Sequence, residues 1–561
     1  MSSRNSPWIL GISASHNGSV CLLRGDEIVV AVQEERLTRF KRQRIYASDS
    51  SLAAAYCLSY AGIEPSELDL VVVCIQGRAR DASQDIRLNR FLNIVPNHIP
   101  TIVIPHHYGH AVSAFATSGF PDAAILVVDG AGSPFVDLAP AEQRVVVQNL
   151  EAAWETTSLY SGSGATVTPL EKHLVEHGAW LRIREPGMPD FGSLGGMFSA
   201  VAQQIFGDPM EAGKVMGLAP YGEPQIPSSS FFEIEHNRFH FKESVSDQFS
   251  GDERWPRRED EYKILAASVQ AALEDALLHL ARRLRSLCPS RNLCYAGGVA
   301  LNSVANERII RECGFENVYI MPAADDSGPA VGAAYYGLWS LTDHNSGRRL
   351  VHDACGRRYS LASLASLDQF GVPGHRSQNI ISDTVDLLLD GKIIGWFDGR
   401  SELGPRALGQ RSILCDARRA DGKEILNRRV KKREAFRPFA PVVLLEEAAN
   451  WFEFGETTPE SPFMLRICRV KPERAGQVPA IVHVDGTGRL QTVTAEANGR
   501  FYELVKSFFE KTGVPILLNT SFNVMGQPIV ETPADALACL ASTGLDCCVF
   551  EDRIVFKDYG N

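Results

Sequence analysis

Three of the chain's 14 histidines fall within five residues, His106-His107-Tyr108-Gly109-His110. On a helix His106 and His110 share one face. That is the spacing at which a helix gives two imidazole nitrogens to one metal ion. The glutamate of the metalloprotease motif is missing, so the stretch alone fits equally a polar helix start with ordinary hydrogen bonds. A second reactive group lies between Arg400 and Arg437, where 12 Lys and Arg stand against 5 Asp and Glu in a chain of net charge −11. Charge runs are usually solvated faces. Here the basic residues are interleaved with Gly, Pro and Phe, in GRSELGPRALGQRS and NRRVKKREAFRPFAP. Glycine and proline fix the backbone and phenylalanine packs beneath it. The basic groups are therefore expected to converge on a small anion, which the planar guanidinium fork meets bidentately. Asn519, Ser521 and Asn523 alternate at the end of an apolar run, and so point the same way from an extended segment.

The elements that must hold these groups are legible as short apolar runs. WILGIS, SVCLLRG and EIVVAVQEE read as strands, SSLAAAYCLSYAG as a helix and LDLVVVCI as a buried strand. HHYGHAVSAFATS has helical spacing, and AAILVVDGAGS is a strand entering a small-residue loop. A strand–loop–strand pattern thus occurs at 8–33 and again at 123–149, and NLCYAGGVALNS supplies a third strand–loop before helical sequence. A duplicated sheet domain with glycine loops facing a cleft is how the actin, sugar-kinase and chaperone ATPase fold holds nucleotide, because glycine lets backbone N–H groups approach phosphate. Periodicity is lost after about 345, which marks 346–380 as a linker between a domain at 1–345 and another at 381–561.

The 561 residues are 45% hydrophobic and 22% charged, ordinary for a globular protein. The acidic balance argues against a nucleic-acid partner. MSSRNSPWILGIS is not a signal peptide, and no apolar run approaches the roughly 18 residues that span a bilayer, so no membrane partner is expected. The 12 cysteines include no C-x-x-C pair and read as reduced thiols of a cytoplasmic protein. A homodimer is the base-rate expectation.

Taken together, SHNGS (15–19), HHYGHAVSAF (106–115), LVVDGAG (126–132), GKVMGLAPYG (213–222), YAGGVALN (295–302), DSGPAVGAA (326–334), GRSELGPRALGQRS (399–412), VKKREAFRPFAP (430–441) and LNTSFN (518–523) make the chain resemble the O-carbamoyltransferases of antibiotic biosynthesis and nodulation-factor synthesis. The resemblance implies a mixed α/β protein. Its N-terminal domain is a duplicated actin-like ATPase fold similar to the threonylcarbamoyl transferase. Its C-terminal α/β domain is similar to threonylcarbamoyl-adenylate synthase. It implies that carbamoyl phosphate and ATP, with Mg²⁺, form carbamoyl-adenylate in the C-terminal domain. A hydroxyl of a small natural-product acceptor then takes the carbamoyl group in the N-terminal domain and AMP leaves.

The same resemblance assigns residues. His106, His110, Asp129 and Asp326 would hold a divalent metal, iron by likeness, and His107 stands outside that pattern. His16 would be general base or orienter. Lys214, Gly297, Gly298, Asn302, Ser521 and Asn523 would contact nucleotide. Arg406, Lys431, Arg433 and Arg437 would carry the adenylation. Arg406, Arg411, Lys431, Arg437 and Asn519 would bind carbamoyl phosphate. The first loop reads H-N-G-S where the family often has H-D-A-S, so Asn17 is given no charged role. Two other readings are a non-catalytic regulator that binds nucleotide or carbamoyl phosphate and a hydrogenase-maturation carbamoyltransferase. The latter's acylphosphatase-like start and paired C-x-x-C fingers do not occur in this sequence. The acceptor loops, expected within 135–205 and 223–260, carry no decodable motif.

Overall fold

Six of the seven residues of β1 (Trp8–Ala14) are buried, as in a strand covered on both faces. With β2 (Ser19–Arg24), β3 (Glu27–Gln33), β4 (Leu70–Ile75) and β5 (Thr101–Pro105) it forms a sheet in the order β3-β2-β1-β4-β5. In this sheet β1 is antiparallel to β2 and parallel to β4, and β4 is parallel to β5. A second sheet repeats that order with β6 (Asp122–Val128), β7 (Ala153–Ser163), β8 (Thr166–Glu176), β9 (Asn292–Ala296) and β10 (Asn317–Ile320), arranged β8-β7-β6-β9-β10. Again the first strand is antiparallel to its hairpin partner and parallel to the strand on its other side. The duplication expected from the sequence is present. The structure, a computed structural model, describes residues 6–45, 51–76, 98–147, 153–176, 180–182, 190–242, 245, 249, 253–342, 348–359 and 375–557.

Close backbone approach positions the helices. The helix Pro329–Thr342 lies so near β1 that a Cβ on Gly11 would sit 2.1 Å from the Ala330 carbonyl oxygen. The same helix crosses the helix His106–Ala116, where a Cβ on Gly332 would sit 1.9 Å from the Gly109 carbonyl oxygen. Only glycine fits such contacts. The crossing brings the chain just before Pro329, which carries Asp326, beside the first turn of the histidine helix. The long helix Glu259–Leu287 contains a window apolar enough to cross a membrane, but 72% of that window is buried within the protein, so it is a core helix. All 12 cysteines are buried and free.

Several expectations need correction. The third strand ends at Gln33, and Glu34–Thr38 is helical, with Glu34 and Glu35 in its first turn where acidic groups favour the helix dipole. The second strand–loop–strand does not close within 123–149. Pro134 and Pro140 open short helical turns at Phe135–Asp137 and Pro140–Gln143, and the returning strand is β7, from Ala153. The expected linker at 346–380 contains a strand, Ala354–Arg358, paired with Arg400–Glu402, and a helix starts at Ile380. Residues 360–374 lie outside the described residues.

The chain divides into two units, Met1–Val29 with Arg44–Leu350, and Val30–Gln43 with Val351–Asn561. The short N-terminal segment thus belongs with the C-terminal unit, where Gln33 donates to the Leu403 carbonyl and Arg39 to the carbonyls of Pro528 and Ile529. A linear cut at 345 could not show this. The C-terminal unit is built on a ten-stranded mixed sheet. Ile394, Trp396 and Leu414 pack on one face with the helices Ile380–Leu389 and Gly499–Thr512. Ile393, Phe397, Ile413 and Cys415 pack on the other with the helix Pro533–Ser542. The period-2 alternation of strands serves both faces.

Candidate active site

In the N-terminal unit the polar groups gather at the C-terminal ends of parallel strands, where open α/β sheets bind ligands. His16 follows β1, Gln76 follows β4, His106 follows β5, Asp129 follows β6 and Gly297 follows β9. His106, His110, Asp129 and Asp326 offer four ligand atoms within 4.8 Å of one another, all from buried residues. His106 Nε2 lies 3.2 Å from each of His110 Nε2, Asp129 Oδ2 and Asp326 Oδ1. Asp129 is aimed by its backbone surroundings, its Oδ1 accepting the N–H groups of Gly130 at 2.8 Å and Gly298 at 3.2 Å. Gly297 has φ +94°, and a Cβ there would sit 2.2 Å from the Val128 carbonyl oxygen. Glycine is therefore required where the two loops meet.

These four residues fit a metal ion. One imidazole nitrogen carries at most one hydrogen, yet His106 Nε2 faces three polar atoms, and two carboxylates converge with no lysine or arginine between them. Burial works against charge on His106, but Asp326 and Asp129 outweigh it and hold its pKa well above the usual imidazole value. Burial likewise opposes ionisation of Asp326, but His16 and His106 hold it well below the usual carboxylate range. A shared cation satisfies all four groups at once. Two imidazoles with two carboxylates suit a divalent first-row metal. His107 stays apart, its Nδ1 2.8 Å from Ser158 Oγ.

His16 Nδ1 lies 3.0 Å from Asp326 Oδ2 and 3.2 Å from Gln76 Oε1. Burial lowers its pKa, but the Asp326 carboxylate outweighs this and raises it to about 9. Both neighbours are acceptors, so Nδ1 carries the hydrogen and Nε2 is left as the second ring nitrogen. Two nucleotide assignments meet competition. Asn302 caps the helix Ser303–Glu312, accepting from the Ala305 N–H, and exchanges hydrogen bonds with the Gln270 amide, so its side chain is already engaged. Lys214 pairs with Glu211 at 3.4 Å and lies over the Phe206 ring.

In the C-terminal unit the loop 403–410 carries Arg406 between two strands. Glu402 Oε1 accepts the N–H groups of Leu408, Gln410 and Arg411, and Asp353 accepts that of Gly404. Lys431 ends a π-helical turn, Leu426–Lys431, and Lys432 beyond it has φ 45°. The buried Lys431 ammonium donates to Asn523 Oδ1 at 2.8 Å and Ser521 Oγ at 3.2 Å. Burial and then Arg433 push Lys431 well below the usual lysine range. Burial and Arg437 bring Arg433 down to about 9. Arg489, on the strand Thr487–Val493, is pushed well down by burial and by Arg406, Arg433 and Arg437. Five cations from three segments therefore repel one another at one place, which is an anion site in electrostatic terms.

The sequence reading missed Arg489 and Gln76. For Gln76 the signal was a polar residue at the end of the apolar run LVVVCI, whereas Arg489 lies on the polar side of an alternating strand and gave none. Two expected members are placed elsewhere. Arg411 is fully buried, its guanidinium donating to the Asp398 and Gln410 carbonyls and lying 3.7 Å over the Phe397 ring. Its guanidinium is thus engaged with the surrounding backbone. Asn519 is buried, donating to Gln491 Oε1 and the Ala407 carbonyl. It supports the loop that carries Arg406.

The duplicated sheet unit thus carries a buried His/Asp cluster, and the second sheet unit carries a cationic cluster. The carbamoyltransferase N-terminus family model matches residues 8–84 and 90–335, and the carbamoyltransferase C-terminus model matches 385–557. The chain belongs to the carbamoyltransferase family and is a carbamoyltransferase. Nodulation protein NolNO of Sinorhizobium fredii (strain NBRC 101917 / NGR234) is 33% identical over 97% of this chain and 79% of its own. Nodulation protein U of Rhizobium tropici is 30% identical over 95% and 93%. A crystal structure of full-length HypF, in a phosphate- and nucleotide-bound form, aligns with 12% identity and a TM-score of 0.39 over 61% of this chain and 56% of that one.

Proposed function

We propose that the protein is an ATP-dependent O-carbamoyltransferase acting in two steps. In the first, water hydrolyses carbamoyl phosphate to carbamate and inorganic phosphate, and a carbamate oxygen attacks the α-phosphate of ATP, displacing pyrophosphate and giving carbamoyl-adenylate. In the second, a hydroxyl of a small-molecule acceptor attacks the carbamoyl carbon and AMP leaves. The observation that carries this reading is the convergence of Arg406, Lys431, Arg433, Arg437 and Arg489, whose mutual repulsion calls for a ligand with several negative charges. Such groups neutralise phosphate oxygens and the charge that develops at the α-phosphate. Ser521 and Asn523 hold the Lys431 ammonium in place.

His106, His110, Asp129 and Asp326 would hold the metal, with iron the ion that the family likeness implies. When bound, it supplies Lewis-acid polarisation of the carbonyl or a hold on the adenylate phosphate. Asp326 and Gln76 accept from the His16 Nδ1–H and fix the ring. With its pKa raised to about 9, His16 is protonated at neutral pH, so its Nε2–H would orient the reacting groups, and it would act as general base only after losing that proton. Gly297 and Gly298 keep the backbone free of side chains at the strand end where the nucleotide phosphate would lie, with the Gly298 N–H engaged by Asp129 Oδ1.

The test uses pure protein, carbamoyl phosphate, Mg²⁺ and ATP without acceptor. Pyrophosphate release and the mass of carbamoyl-adenylate are measured, with Arg406→Ala beside wild type. Both products from wild type and neither from the variant are expected. No product under conditions where ATP binds would sink the adenylate step.

A further inference from the structure

Behind the His/Asp cluster lies a buried polar network. Glu155 on β7 and Lys172 on β8 are both fully buried. Lys172 bonds Glu155 Oε2 and lies 3.0 Å from Glu142 Oε1. Glu155 Oε1 accepts the backbone N–H groups of His107 at 2.9 Å and Ser133 at 3.0 Å. Its own backbone bonds Gly132 and Ser133, and Ser133 Oγ accepts the His106 N–H at 2.9 Å while donating to the Ile75 carbonyl. The fit is tight, since a Cβ on Gly132 would lie 2.7 Å from Glu155 Oε1.

We infer that Glu155, held by Lys172, is a positioning residue for the metal site. It ties the loop that starts at Asp129 to the first turn of the helix that carries His106 and His110, and so sets the distance between ligand atoms supplied by two elements. It touches none of the four ligand atoms. Supporting groups of this kind orient metal ligands, and their loss commonly lowers metal affinity about 10- to 100-fold. Glu171 on β8, a carboxylate paired with His173 and with Arg283 of the helix Glu259–Leu287, serves as the comparison.

The inference rests on the metal reading above, and its test separates the two. Metal-free full-length protein is titrated with Co²⁺, and both affinity and the visible d–d spectrum are recorded. Wild type, Glu155→Gln, Lys172→Met, Ser133→Ala and Glu171→Gln are compared, with circular dichroism as the check on folding. Glu155→Gln and Ser133→Ala should bind Co²⁺ about 10- to 100-fold more weakly, with a shifted spectrum. Glu171→Gln should match wild type in both. A folded Glu155→Gln with wild-type affinity and spectrum overturns the inference. If Glu155→Gln does not fold, Lys172→Met, which removes the ammonium that holds the Glu155 carboxylate, decides, and a folded Lys172→Met with wild-type affinity and spectrum overturns it equally. Failure of wild type itself to bind Co²⁺ would instead overturn the metal reading.

Discussion

At the scale of single residues, Arg489 shows how function and stability oppose one another. Its pKa is pushed well below the usual arginine range by burial and by three other arginines, and its Nε has no hydrogen-bond partner among the described residues. Without an anion the cluster costs stability, and with one it is satisfied. Arg489→Ala should therefore slow adenylate formation about 100- to 1000-fold, the range for losing one donor at developing charge. The same change should raise the melting temperature of the ligand-free protein, as removing functional charge often does. Inorganic phosphate should raise the melting temperature of wild type more than that of the variant. Thermal denaturation with and without phosphate checks both, and a variant that melts lower in both conditions would contradict the anion site. The residue was hard to see in the sequence because VDGTGRLQTV reads as an ordinary alternating strand with one arginine on its polar side. His106 and His110 were legible because their spacing carries chemistry whatever fold surrounds it. Arg411 shows what the motif could not tell: its motif is rich in arginine, and only packing decides which guanidinium is drawn into the sheet.

At the scale of elements, the helix crossing at Gly109 and Gly332 fixes the relation between the histidines and Asp326. Gly332→Ala places a methyl group 1.9 Å from a carbonyl oxygen unless the helices separate. We expect a loss of about 1–3 kcal/mol, the usual range for overpacking, together with weaker metal binding. Denaturant titration and Co²⁺ affinity measure the two effects. The β7–β8 pair makes a prediction in pH. Burial opposes ionisation of Glu155, but His107 and Lys172 outweigh it and bring its pKa from 4.5 to about 2. The folded state then binds fewer protons than the unfolded state between those values. The stabilisation is present above about pH 4.5 and is lost as pH falls toward about 2. Stability against pH, measured by denaturant unfolding, should fall less steeply across that window in Glu155→Gln than in wild type. Equal slopes would show that Glu155 does not titrate as described. These elements were largely readable, since apolar runs of five to seven residues announce buried strands. The misplaced return strand at 153 shows the limit: Val145-Val146-Val147 looks extended, but the turns opened by Pro134 and Pro140 deliver it as a single bridge to Lys172.

For the whole molecule, the sequence allowed a division into two sheet-based units but not the membership of Val30–Gln43. That segment begins inside β3, and its allegiance comes from hydrogen bonds to residues more than 360 positions away, such as Gln33 to Leu403 and Arg36 to Gly404. No local pattern encodes such partners. The division has a functional consequence that needs no knowledge of the acceptor. If adenylation belongs to one unit and metal binding to the other, each can be removed alone. Asp326→Asn should weaken Co²⁺ binding at least 100-fold, because it removes a charged ligand, yet leave pyrophosphate release within about twofold of wild type. Arg406→Ala should do the reverse, abolishing pyrophosphate release and leaving Co²⁺ affinity within about twofold. Their sites share no residue, so the double variant should lose both properties with no interaction between them. A loss of pyrophosphate release in folded Asp326→Asn would mean that the metal unit takes part in the first step, and the two-site assignment would have to be redrawn.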